Sequence, residues 1–142
     1  MEILKPIMDS KQTAADSAGR NLAVLLEYDG TDFCGYQYQP RVRTIQGELE
    51  KALKCLFSHS LRLSASGRTD AGVHALGQVA GFILEHDIRL ERLPFALNSV
   101  LPRDIVVKCA AEAESSFHPR YSAIGKIYRY CIINRAQPSA LL

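Results

Sequence analysis

Segments of two hydrophobic periods alternate along the chain, and their order restricts the fold more than any other feature. Leu22–Tyr28 is a short run rich in Leu and Val that ends at the turn signal Asp29-Gly30, and it reads as a strand. Thr44 stands as an N-cap before Ile45, Leu49, Ala52, Leu53 and Leu56, which share one helical face, although Gly47 sits where a capping box would carry Glu or Gln. Leu61, Leu63 and Ala65 alternate with Arg62, Ser64 and Ser66 as in a half-buried strand that Gly67 ends, and Gly77–Leu84 reads as the returning strand. Arg89–Val100 carries a second helical pattern, with Pro94 in its first turn or at a kink. Asp104–Ala111, around Ile105-Val106-Val107, makes a fourth strand and Ile127–Ile133 a fifth. The order strand, helix, strand, strand, helix, strand predicts an α+β fold, an antiparallel sheet with two helices on one face in the ferredoxin-like (RRM-like) arrangement. Its other face is left open, and Lys126, Tyr128, Tyr130 and Ile132, on one side of the fifth run, are assigned to it.

A chain of 142 residues suits a single core, and 47% hydrophobic with 23% charged residues excludes both a disordered chain and a membrane-embedded one. No run of about 18 apolar residues is present to span a bilayer. Met1–Arg20 lacks the apolar stretch of a secretory signal, so a cytoplasmic location is expected. Residues 1–20, with Asp9, Ser10, Lys11, Gln12, Thr13, Asp16, Ser17 and Gly19, are expected to form a flexible N-terminal extension. Cys34, Cys55, Cys109 and Cys131 are too far apart for a C-x-x-C pair and read as reduced, partly buried thiols, with neither a zinc site nor a redox motif. Residues 135–142 follow the last predicted strand without a closing element and read as a truncated linker.

A formal charge of +2 is too small to announce a nucleic-acid partner, but its distribution is uneven. After Glu114 no acidic residue occurs, while Arg120, Lys126, Arg129 and Arg135 interleave with Tyr121, Tyr128 and Tyr130. Cations contact phosphates and rings stack on bases, as a single-stranded or flipped-out RNA target demands; a solvated strand edge carries the same pattern. Arg41-Val42-Arg43, just before the first helix, is a basic loop suited to RNA backbone. Gly67-Arg68-Thr69-Asp70-Ala71-Gly72-Val73-His74-Ala75 lies between two predicted strands and puts a carboxylate near a guanidinium on one short turn. By residue type alone, an Asp so placed is more often an Asx-turn residue than a catalyst. His74 and His118 lack the H-x-x-x-H or H-E-x-x-H spacing of metal sites, and no metal is assigned.

The Asp70 stretch resembles the R-T-D-x-G-V-H active-site signature of the TruA family of tRNA pseudouridine synthases. Three further segments resemble the same family in the same order. Tyr28-Asp29-Gly30 with Phe33, Gly35, Tyr36, Gln37 and Gln39 matches its first motif, with Tyr36 where Trp or Phe is more usual. Thr44-Ile45-Gln46 with Leu49, Glu50, Ala52 and Leu53 matches its first helix, and Phe117–Ala123 with Lys126, Tyr128, Arg129 and Tyr130 matches a fourth region.

The resemblance implies isomerisation of uridine to pseudouridine at positions 38 to 40 of the tRNA anticodon stem-loop, without cofactor or metal, by a homodimer. It makes Asp70 the catalytic residue and Tyr128 the ring that packs on the flipped base. Arg68 and Arg120 would orient Asp70 or hold flanking phosphates, and Arg41 and Arg43 would grip backbone. Family members are about twice as long, with a second, similar subdomain across the active-site cleft. Residues 21–134 are therefore expected to be the N-terminal, catalytic ferredoxin-like subdomain, inactive or nearly so alone. Two rivals share the fold: a non-catalytic RNA-binding module, which lacks the aromatic RNP signature of an RRM, and a ligand-sensing domain indifferent to tRNA.

Overall fold

Alternation along the first strand sets the two faces of the sheet. In the computed structural model, which describes residues 19–141, β1 (Arg20–Tyr28) buries Leu22, Val24, Leu26 and Tyr28 on one side and turns Leu25 and Glu27 to the other. The strand is central. It pairs antiparallel with β3 (Ala75–Leu84) and β4 (Ile105–Glu112), while β2 (Ser64–Ala65) pairs antiparallel with β3, giving the order β2-β3-β1-β4. With its helices in sequence after β1 and β3, this is the ferredoxin-like topology that the sequence predicts. Arg20, expected in the flexible extension, belongs to β1, and its guanidinium binds Glu112 at 3.0 Å and the Ile88 carbonyl at 2.8 Å. Of the rest of that expected extension, Gly19 is described and residues 1–18 lie outside the described residues.

Helix α1 (Ile45–Phe57) begins where Thr44 takes an extended conformation and its hydroxyl accepts the Gly47 amide at 3.1 Å, a cap made without the second half of a capping box. Ile45, Leu49, Ala52, Leu53 and Phe57 then fall on its buried side. Helix α2 (Leu93–Val100) is shorter than the predicted Arg89–Val100. Pro94 lies in its first turn and Arg92 offers no side-chain cap; residues 89–93 make turn bonds, Arg92 N–H to Arg89 O and Leu93 N–H to Leu90 O. Leu93 and Leu97 join the α1 stripe and the inward faces of β1, β3 and β4 in one core. Asn98 of α2 also covers the outer edge of β4, donating to the Val107 carbonyl and accepting from its amide at 2.9 and 2.8 Å.

The fifth predicted strand does not form. Residues 127–133 pair with no strand among the described residues, and Ile127, Tyr130 and Ile132 are more than four-fifths exposed. Propensity makes a strand only where a ladder is open to it. Here the β4 edge is partly taken by Asn98, and β2 offers two paired residues. The Tyr-lined sheet surface expected from this run is consequently absent from the described chain.

Something else covers part of the open face. Beyond β4 the chain doubles back: Asn21 donates to the Glu114 and Phe117 carbonyls at 2.8 and 3.0 Å, and the buried ring of Pro119 sits over Gly81 of β3. Lys126 then lies over Gly67, next to β2. The matched fourth region thus crosses the sheet from β4 to the loop that holds Asp70. Among the described residues, no helix is long and apolar enough to cross a membrane.

Candidate active site

Asp70 sits on the turn that joins β2 to β3, at the end of the sheet where Tyr28 and Ile105 also lie. A loop of this kind is mobile unless tied down. This one is tied at its start, middle and end. At the start, the buried amide of Gln78 donates to the Gly67 carbonyl while its oxygen meets the Ser66 hydroxyl at 2.7 Å. In the middle, the Tyr28 hydroxyl meets Thr69 Oγ1 at 2.8 Å and the Tyr36 amide donates to Thr69 O at 2.9 Å. At the end, the Gly72 amide donates to Phe33 O at 3.3 Å, and the Gly30 amide lies 3.0 Å from His74 Nδ1.

Two glycines allow this fit. Gly35 has φ +90°, a left-handed conformation that favours glycine, and its missing side chain would press on the backbone of Thr69–Ala71. A Cβ on Gly30 would stand 1.9 Å from the Val73 carbonyl oxygen, so any side chain there displaces the end of the loop. The first matched motif is therefore the cradle of the second. Its residues were legible as a resemblance, but nothing local in Tyr28–Tyr36 announces a partner some forty residues away.

His74 completes the brace. Its Nδ1 is 3.0 Å from Asp29 Oδ1 as well as from the Gly30 amide. A bare Nδ1 accepts from Gly30, a protonated one donates to Asp29, and in either state the ring stays bound to the first motif. The Asp29 carboxyl is held below its ordinary range, chiefly by the Thr31 hydroxyl and amide, with His74 contributing less. His74 therefore has a structural task in the loop.

The side chains of Arg68 and Asp70 are both exposed, and among the described residues neither makes a hydrogen bond or an ion pair. Arg68 and Asp70 are therefore not paired with each other, which leaves the Arg68 guanidinium open for the flanking phosphates that were the other expectation for it. Arg120 is exposed beside Tyr121, its guanidinium 5.6 Å from that ring, on a turn closed by His118 and Ser122. Tyr128 is 65% exposed. Arg41 is exposed at φ +67°. Arg43 is differently placed from a free phosphate ligand: it makes a two-pronged contact with Asp104 at 2.8 and 2.9 Å and lies 4.0 Å over the Phe33 ring. Those Asp104 bonds raise its pKa. Arg43 anchors the Phe33 loop to the start of β4, and hence the cradle to the sheet.

The site is thus a ferredoxin-like sheet with one braced loop at its end, carrying an exposed carboxylate that is unpaired among the described residues. Residues 24–122 match the sequence profile described as tRNA pseudouridine synthase, and the chain belongs to that family. It is similar to the tRNA pseudouridine synthase A of Acetivibrio thermocellus, 49% identical over 123 residues, which are 87% of this chain and 50% of that protein. The proteins of the same name from Caldicellulosiruptor saccharolyticus and Thermoanaerobacter sp. strain X514 are 50% and 52% identical, over 87% and 82% of this chain and 50% and 48% of theirs. The chain spans about half the length of the curated relatives that it matches.

Proposed function

We propose that this chain supplies the catalytic aspartate of a cytoplasmic, homodimeric enzyme that converts uridine to pseudouridine in the anticodon stem-loop of tRNA. The observation that carries the reading is Asp70, exposed and, among the described residues, unpaired, on a loop held through the backbone at Ser66, Gly67, Thr69 and Gly72 and through the His74 side chain. A carboxylate held in place before the substrate arrives acts without reorganising, which is where such catalysis draws most of its advantage.

The isomerisation breaks the bond from the ribose C1′ to N1 and forms one from C1′ to C5. The C5 proton leaves to solvent and N1 gains one, so product and substrate have the same atoms and no oxidant is needed. Asp70 serves either as nucleophile or as the charge that stabilises the electron-poor sugar. Extruding the uridine costs on the order of a few kcal/mol, offset by contacts to the rest of the RNA. Tyr128 packs on the extruded base, Arg68, Arg120 and Arg41 meet flanking phosphates, and Arg43 contributes through the cradle.

The test follows release of tritium from tRNA labelled at uridine C5, using the chain alone and the chain supplemented with the C-terminal half of the Acetivibrio thermocellus relative. Release in either arm that Asp70→Asn abolishes, while tRNA binding persists, supports the reading. Release unaffected by Asp70→Asn, or none in either arm, overturns it, and the second result leaves a non-catalytic RNA-binding module.

A further inference from the structure

A groove of about 470 Å³ runs beside α1, lined by Tyr38, Gly47, Glu50, Lys51, Lys54, Ser60, Leu61 and Arg62, and the reaction as described above does not use it. Its cations stand free: among the described residues, the side chains of Lys51, Lys54 and Arg62 make no ion pair or hydrogen bond, and all three are exposed. Its one carboxylate is committed elsewhere, since Glu50 Oε1 accepts from Gln46 at 2.8 Å and from the Leu63 amide at 3.1 Å. Gly47, Lys51 and Lys54 lie at helical spacings of four and three, so the two lysines follow one another along a single side of α1.

At the head of this basic track lies a ring. Tyr38 is 48% exposed, and an edge of its ring rests on Gly47, 3.5 Å from where a Cβ would stand. Its backbone is pinned by the Gln46 side chain, which accepts the Tyr38 amide at 2.9 Å. A fixed, half-open aromatic face continued by unpaired cations is the combination that holds single-stranded nucleic acid: the ring takes a base and the cations take successive phosphates. An acidic protein segment would use the cations but leave the ring face without a purpose.

The groove also begins close to Asp70. Tyr36, whose amide binds Thr69 O at 2.9 Å, precedes Tyr38 by two residues, a chain span of no more than about 7 Å. We infer that this groove is a second RNA-binding site, which takes an unpaired stretch of the substrate a few nucleotides from the uridine, with one base on Tyr38 and the following phosphates on Lys51, Lys54 and Arg62. The inference rests on the reading of tRNA as substrate and extends it to a part of the domain that carries none of the residues assigned to the reaction.

Binding of fluorescently labelled unmodified tRNA to the full chain, measured over a range of salt concentrations, tests it without any need for turnover. The triple variant Lys51→Ala/Lys54→Ala/Arg62→Ala is expected to bind about tenfold or more weakly and to flatten the plot of log affinity against log salt by about 2, at about 0.7 per single-strand phosphate. Tyr38→Ala should weaken binding about fivefold or more, and Tyr38→Phe should restore it. Circular dichroism checks that each variant is folded; all four positions are exposed. Wild-type affinity and slope in the triple variant overturn the groove and leave the Asp70 reading intact. No salt-dependent tRNA binding by the wild-type chain overturns both. Displacement of the RNA by polyglutamate at equal charge, with Tyr38→Ala binding as the wild type does, assigns the groove to an acidic protein and sinks the RNA inference.

Discussion

Tyr36 is buried, its ring 6.4 Å from that of Tyr28, and its hydroxyl is a buried polar group with no hydrogen-bond partner among the described residues. Such a group costs about 1–3 kcal/mol, so Tyr36→Phe, which keeps the ring and removes the oxygen, is expected to stabilise the domain by about 1 kcal/mol in urea unfolding. Gly30 behaves oppositely. Gly30→Ala drives a methyl into the Val73 carbonyl and should cost about 2 kcal/mol or more while speeding amide exchange at Gly72 and Val73. At this scale the charged turn of Arg68 and Asp70 is a local pattern that the chain displays, but only the resemblance to a family motif singles out Asp70 within it. The bracing roles of Tyr28 and Gly30 are not legible in this way, since their partners Thr69 and His74 are 41 and 44 residues distant. The basic neighbourhood of Arg43 suggests a phosphate ligand and holds no trace of Asp104, which lies 61 residues away.

Among the elements, β1 and α1 follow their patterns closely because each buries one face and little competes with it. Thr44 is 1% exposed and caps α1 next to the loop that carries Gly35, so Thr44→Ala should cost about 1 kcal/mol in unfolding free energy. Helix α2 starts four residues later than its apolar pattern predicts: the pattern extends back through Leu90, but Pro94 and an uncapped Arg92 admit regular helix only from Leu93. The run at 127–133 shows the limit of propensity, which names residues able to form a strand without naming the strand they would join. In its place, Asn21 and Pro119 hold the returning segment across the open face. Asn21→Ala removes two hydrogen bonds and should cost about 1–2 kcal/mol, with exchange protection lost at Phe117 and Ser122.

The whole molecule carries a signature at alkaline pH. Burial raises the Tyr28 phenol, against a smaller opposing effect of Thr69, and raises the Tyr36 phenol further. Because both folded values lie above the unfolded one, the unfolded chain gives up these protons first. Stability is then intact below about pH 10 and falls as the pH rises beyond it, by up to about 1.4 kcal/mol per pH unit for each group. Melting curves between pH 8 and 11 should show the fall, and Tyr36→Phe should lessen it. Hydrophobic period, turn residues and four ordered motifs were enough to settle the fold class and the family, because each depends on neighbours in the chain. Tertiary structure alone decided that the first motif would grip the loop of the second, that Arg43 would turn to Asp104, and that the last predicted strand would find no ladder. Those outcomes depend on which surfaces meet once the core has closed, and contacts between distant residues leave no periodic mark on the chain that makes them.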